Sequence, residues 1–241
     1  MTAGASVAGD GSRPAVLLDL DGTLVDPAGA ITGGIAATLA RHGLPVPGPE
    51  RLRTLVGPPL REGLRSLDGV TEENLPVLIR DYRAGYRDHG MGVSVVYPGV
   101  PGMLEDLARD HDLVVATSKP VSSARELLRI QGLDHHFAAI CGSSDDETAP
   151  LPPGGTKVQA MAEALAAVGM EGSGQPHAVM VGDRHFDLDG AAHHGLPGIG
   201  VLWGFGDRDE LTAAGADALC GNAAELPALC RRLLGERVIQ H

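Results

Sequence analysis

The segment Asp19-Leu20-Asp21-Gly22-Thr23 sets two carboxylates two positions apart, directly after the apolar run Ala15-Val16-Leu17-Leu18. Ligands of open α/β sheets bind beyond the carboxyl ends of strands, so a strand ending here would carry both acids to a reactive edge. Gly22 permits the tight turn behind them. Asp-x-Asp-Gly can also open a calcium loop, but that loop needs further oxygen ligands at close spacing and a Glu at its end. The residues that follow, Thr23-Leu24-Val25-Asp26-Pro27, do not supply them.

Three more segments could share that edge. Val181-Gly182-Asp183-Arg184-His185-Phe186-Asp187 also begins at the end of an apolar run. A third carboxylate, Asp183, beside the first pair would make a hard, oxygen-lined site suited to Mg²⁺. In Ala116-Thr117-Ser118-Lys119-Pro120 two hydroxyls stand between a strand and a helix. Hydroxyls and free N–H groups at a helix N-terminus can hold phosphate oxygens, and the same pattern also reads as an ordinary N-cap with Pro in the first turn. Lys157 lies near the start of a helix predicted over residues 156–168, where a cation opposes the helix dipole. It and Lys119 are the only lysines among 19 basic residues. A compact ammonium can sit between one carboxylate and one phosphoryl oxygen, whereas an Arg fork is broad.

The elements that must position these groups alternate along the chain. Continuously apolar runs occur at residues 15–18, 113–116, 137–140, 178–181 and 199–201, the pattern of parallel strands buried on both faces. Amphipathic stretches follow at 121–131, 156–168 and 187–194. This predicts an α/β fold: a Rossmann-like parallel sheet with helices on both faces and right-handed crossovers. One interval departs from it. Ile31, Ile35 and Leu39 mark one helical face, and Leu75, Leu78, Ile79, Tyr82 and Tyr86 mark another, with little strand signal between. Residues 33–92 are therefore expected to form a small α-helical cap domain. Residues 14–32 and 93–241 would form the core, and 1–13 a Gly/Ala/Ser-rich disordered lead-in.

The chain has 241 residues and a formal net charge of -12. That balance argues against a nucleic-acid polymer or an anionic membrane as partner, since both need clustered positive charge. No apolar run approaches the roughly 18 residues of a spanning helix. Three scattered cysteines, with no CxxC pair, suit free thiols in a reducing cytoplasm. The sequence sets no oligomeric state. His135-His136 and His193-His194 read as surface pairs, His185 stands near the site without a role there, Trp203 and Phe205 read as packing at the core edge, and Asp145-Asp146-Glu147 reads as a solvated loop.

In this order the four segments resemble the haloacid dehalogenase-like superfamily, with a helical cap inserted after the first motif. Gly57-Pro58-Pro59-Leu60, Thr117-Ser118-Lys119-Pro120 and Gly182-Asp183-Arg184-x-x-Asp187-x-x-Gly190-Ala191 look like its phosphoglycolate phosphatase-like branch, some members of which are described as 5′-nucleotidases. The resemblance implies that Asp19 is a nucleophile and Asp21 a general acid and base. It implies that Thr117, Ser118, Lys157 and Gly22 hold the phosphoryl group, with Thr23 and Asp187 in support. Mg²⁺ would be held by the Asp19 and Asp183 side chains and the Asp21 carbonyl. An acid at position 21 implies a phosphate ester substrate, because dehalogenases and phosphonatases lack it. The expected reaction is hydrolysis of a small phosphomonoester such as 2-phosphoglycolate or a nucleoside monophosphate. The alternatives are a phosphosugar mutase using the same intermediate and a non-catalytic binding protein. Arg61 and Arg83 in the cap are the candidates for clamping an anionic leaving group.

Overall fold

In the computed structural model, which describes residues 13–27, 29–146, 152–172 and 176–237, eight strands form. They are β1 (Ala15–Leu18), β2 (Val25–Asp26), β3 (Val95–Val96), β4 (Asp112–Pro120), β5 (Ala139–Ser143), β6 (Ala178–Gly182), β7 (Gly198–Val201) and β8 (Ala218–Cys220). Six of them make one parallel sheet in the order β5-β4-β1-β6-β7-β8. The chain order reverses on either side of β1, and in open parallel sheets the ligand crevice lies at such a switch point. β2 and β3 pair with each other, antiparallel, where the chain leaves and re-enters the core.

The helices are α1 (Ala30–Arg41), α2 (Pro49–Arg53), α3 (Leu60–Arg65), α4 (Leu75–Gly85), α5 (Met91–Val93), α6 (Val100–Leu107), α7 (Val121–Ile130), α8 (Thr156–Ala167), α9 (His185–His193), α10 (Arg208–Ala213) and α11 (Leu226–Arg237). A π-helical turn, Tyr86–Gly90, joins α4 to α5. Side chains alternate across a strand, so β1 feeds both faces of the sheet. Ala15 and Leu17 pack with Met161, Ala164 and Leu165 of α8 and Ala191 of α9. Val16 and Leu18 belong to the opposite cluster, with Leu104 and Leu107 of α6, Leu127 of α7 and Leu226 of α11. Helices therefore cover both faces, as the apolar runs required.

Between β2 and β3 every regular element is helical. Ile31, Ile35 and Leu39 are buried against Leu75, Leu78, Ile79, Tyr82 and Tyr86, the two faces read from the 3.6-residue period. Three local expectations shift. β5 begins at Ala139 rather than Phe137 and runs on through Gly142 and Ser143, because Ser143 pairs with Pro120 at the extended end of β4. β8 adds a sixth strand that its three residues did not announce. Thr117 and Ser118 lie within β4, and α7 starts only at Val121, so the two hydroxyls sit on a strand end and not on the first turn of a helix. Residues 1–12 of the expected lead-in lie outside the described residues. Among the described residues no helix is long and apolar enough to cross a membrane.

Candidate active site

The register of three strands assembles the site. Leu18 stands opposite Val115 of β4 and Val181 of β6, so one step further Asp19 is level with Ala116 and Gly182. The Asp19 amide donates to Val181 O at 2.9 Å. Asp183 follows β6 directly, and Asp187 lies in the first turn of α9. Asp19, Asp183 and Asp187 are all buried and each presents an oxygen within 4.8 Å of the others.

One ammonium faces this cluster. Lys157 Nζ lies 2.6 Å from Asp19 Oδ1, 2.7 Å from Asp187 Oδ1 and 3.0 Å from Ala116 O. The ammonium donates to Asp19 Oδ1 and Ala116 O and forms a close ion pair with Asp187, a compact arrangement that a forked guanidinium would not reproduce. Burial works against the charge on Lys157, but the Asp187 and Asp19 carboxylates outweigh it and hold its pKa above the ordinary value. The acids are less well served. Burial first, then the neighbouring Asp187 and Asp19 charges, push Asp183 well above the usual carboxylate range. Asp187 is raised to about 6, again by burial first, with Lys157 opposing the rise. Three buried carboxylates with one lysine among them leave excess negative charge in low dielectric. That donor set, all oxygen and all anionic, fits a hard divalent cation.

The loop after β7 closes over Asp183. Phe205 donates its amide to Asp183 Oδ2 at 2.7 Å, and Thr23 Oγ1 reaches Oδ1 at 3.4 Å. Trp203 Nε1 donates to Thr23 O at 3.0 Å. Trp203 and Phe205 do pack at the core edge as expected, but their segment also fixes an acid, which residue type alone could not reveal. Gly22 has φ +95°, and a Cβ there would overlap the Asp183 carboxylate, as one on Gly204 would from the other side. Gly22 is the glycine expected to hold phosphate. Its amide donates to Val25 O at 2.9 Å, and what the position provides is room for Asp183.

Asp21 faces away from the acid cluster. Its Oδ2 accepts from Lys119 Nζ at 2.8 Å, and its Oδ1 is buried with no hydrogen-bond partner. Lys119 Nζ also donates to Tyr86 Oη, 3.0 Å away in the helical insert. Thr117 is buried and its Oγ1 accepts from the Lys119 amide at 3.2 Å. A cavity opens here between core and insert. Asp19, Asp21, Thr117, Ser118 and Lys119 line one side, and Leu60, Arg61, Ile79, Tyr82 and Arg83 the other. Both expected cap arginines are therefore at the cavity, and Arg83 Nη1 lies 3.5 Å from Asp145 O of the core. Asp145 is not merely solvated: its carboxylate accepts from the Ser122 amide and hydroxyl at the start of α7. His185 pairs with Glu210 at 2.8 Å, and the same Glu210 oxygen holds Arg184. Arg184 in turn reaches across to Val56 O of the insert.

An acid pair at the switch point of a parallel sheet, an ammonium between two carboxylates and a helical insert above them define a hydrolase class. The haloacid dehalogenase-like hydrolase family model matches residues 16–201, and the chain belongs to that family. A 5′-nucleotidase of Pseudomonas aeruginosa is 39% identical over 214 residues, which are 88% of this chain and 93% of that protein. The tyrosine-protein kinase PtkA of Mycobacterium tuberculosis is 38% identical over 198 residues, 80% of this chain and 64% of PtkA. A solved structure described as a predicted phosphatase from Clostridium acetobutylicum matches with a TM-score of 0.82 at 34% identity, covering 92% of this chain and 100% of that one.

Proposed function

We propose that the protein is a Mg²⁺-dependent phosphomonoester hydrolase acting through a phosphorylated Asp19. The observation that carries this reading is the convergence of Asp19, Asp183, Asp187 and Lys157 at one strand edge, with Asp21 beside it. Asp19 attacks phosphorus, the ester P–O bond breaks, and Asp21 gives its proton to the departing oxygen. The Asp21 carboxylate then takes a proton from water as that water attacks the phosphoryl-Asp19. The P–O bond to Asp19 breaks, and inorganic phosphate leaves. Lys157, Thr117 and the Ser118 amide hold phosphoryl oxygens, and Asp187 orients Lys157. The Asp19 and Asp183 side chains and the Asp21 carbonyl would hold Mg²⁺, which when bound offsets the repulsion between an anionic nucleophile and an anionic phosphate.

Residues 33–92 act in this reading as a cap over a core of residues 14–32 and 93–241, excluding bulk water when seated. The substrate is a small phosphorylated metabolite. A nucleoside monophosphate is favoured by the name of the P. aeruginosa relative, and 2-phosphoglycolate by the motif resemblance. The test is phosphate release from a panel holding both, plus β-glucose 1-phosphate, with and without Mg²⁺. Turnover that needs Mg²⁺ and falls by at least about 10³-fold in Asp19→Asn is expected. No turnover, or turnover indifferent to that change, overturns the reading. Interconversion of glucose phosphates without phosphate release would favour the mutase, and phosphate passed to a tyrosine would favour the chemistry in PtkA's name.

A further inference from the structure

Lys119 has no place in the scheme above, yet it is among the most enclosed charges in the molecule. Its side chain is 9% exposed and its partner Asp21 12%. Burial disfavours the ammonium, and the Asp21 carboxylate beside it more than compensates, so the pKa of Lys119 is held above its ordinary value. The lysine reaches this position because β4 overruns its regular pairing. The register with β5 slips between Ala116 and Pro120, and such irregularities re-aim side chains next to active sites.

The second partner comes from the other side of the cavity. Tyr86 opens the π-helical turn, and its hydroxyl accepts from Lys119 at 3.0 Å while the ammonium stands 4.4 Å from its ring centroid. The insert is built to keep that ring in place. Tyr82 stacks on it with centroids 6.0 Å apart and planes 20° from parallel. Gly90, one turn on, leaves the room the ring occupies, since a Cβ there would stand 2.6 Å from it. A π turn inside an otherwise α-helical stretch is a recurrent feature of functional positions.

We propose that Lys119 is a positioning residue that fixes the Asp21 side chain, and that Tyr86 completes the hold only when the insert is seated on the core. Seating and the orientation of Asp21 are then one event. The ammonium anchors Oδ2, which turns the unpartnered Oδ1 to the reaction. The chain therefore readies its proton-transfer group only when water is shut out. This rests on the role of Asp21 given above, and the consequences can be separated from it. In the first step the orientation of Asp21 matters for a leaving group that needs a proton and little for one that departs as a stable anion, while dephosphorylation is common to both, so kcat/KM isolates the difference.

The test uses two esters of similar size, p-nitrophenyl phosphate and benzyl phosphate, on the full chain with Mg²⁺. Lys119→Met is expected to lower kcat/KM for benzyl phosphate by about 10²-fold and Tyr86→Phe by about tenfold. The p-nitrophenyl ester should lose no more than about threefold in either variant. The double variant should be no worse than Lys119→Met alone, because both act through one contact chain. Equal losses on the two esters, or additive losses in the double variant, overturn the proposal. Amide hydrogen exchange on the same chain without ligands gives a second reading. Residues 82–93 should exchange faster in both variants, while 15–18 and 178–182 stay unchanged. Unaltered exchange at 82–93 overturns the proposed hold. Should the unmodified chain hydrolyse neither ester nor any member of the panel above, the phosphatase reading falls, and exchange alone decides whether Lys119 and Tyr86 couple insert to core.

Discussion

Two buried lysines flank the acid pair, and they sit in opposite kinds of surroundings. Lys157 meets acceptors from β1, β4 and α9, all parts of one sheet and its helices. Lys119 meets one acceptor on the core and one on the helical insert. The charge balance differs as well. Around Lys157 three carboxylates lie together, and burial first, then their mutual repulsion, raises the pKa values of Asp183 and Asp187. Around Lys119 one carboxylate faces one ammonium, so the two charges balance. A site short of positive charge suits a cation and a phosphoryl group, as the proposed function requires. A balanced site spanning two bodies marks where geometry is being held.

The largest expected effect breaks the comparison at its rigid end. Lys157→Arg keeps the charge but cannot fit as compactly among Asp19, Asp187 and Ala116 O. A fall in kcat of about 10²-fold or more is expected in steady-state assays with Mg²⁺. Lys119→Arg, judged by the same assay, should lose about tenfold or less, since a guanidinium can still span Asp21 and Tyr86. Equal losses would mean that the two lysines do the same work. Near-normal activity for Lys157→Arg would reduce its socket to a matter of composition.

The next effect is on stability, and its direction opposes that on activity. In Asp183→Asn the amide oxygen can still accept from Phe205, while one charge leaves a crowded acidic cluster. The metal-free protein should therefore melt higher, by a few degrees for roughly 1–2 kcal/mol, and Mg²⁺ should no longer shift its Tm. The unmodified protein gives the matching pH dependence. Asp187 has a folded pKa of about 6, above its ordinary value, so its contribution to stability is full at low pH and lost as pH rises through 6. Asp183 adds to the same trend. If the cluster holds Mg²⁺ as proposed, the ion takes the ionised forms, so the rise in Tm on adding it should be small at pH 5 and larger at pH 7.5 by scanning calorimetry. A Tm response that shrinks over that interval would contradict the assigned cluster.

The sequence carried these two regions unequally, for physical reasons. The acid pair, Asp183 and Lys157 were legible because each follows a buried apolar run or opens a helix, and strand register with the packing of α8 on the sheet brings them together. The faces of α1 and α4 were legible from their period. The hold on Asp183 was not, because its donor is the Phe205 backbone amide and backbone donors have no residue-type signature. Nor was the link from Lys119 to Tyr86, which joins positions 33 apart with no spacing rule. Residues 139–143 show a third kind of loss. Gly142 and Ser143 do not look like strand, and only the extended end of β4 recruits them.

The smallest expected effect lies at the cavity rim and tests whether the insert reads the leaving group as well as seating it. Arg61 and Arg83 line the wall facing Asp19 and Asp21, among the apolar Leu60, Ile79 and Tyr82. An arginine there gains most from a substrate with a second anionic group, which it can clamp through paired N–H donors. Arg83 is the better probe because it already leans to the core, with Nη1 3.5 Å from Asp145 O, a length too great for a firm hydrogen bond. Arg83→Ala should lower kcat/KM for 2-phosphoglycolate by about fivefold to tenfold, mostly through KM, and leave p-nitrophenyl phosphate within about twofold. Loss on both esters alike would make Arg83 a tie between insert and core of the Tyr86 kind, and no change on either would leave the reading of the leaving group to the apolar wall.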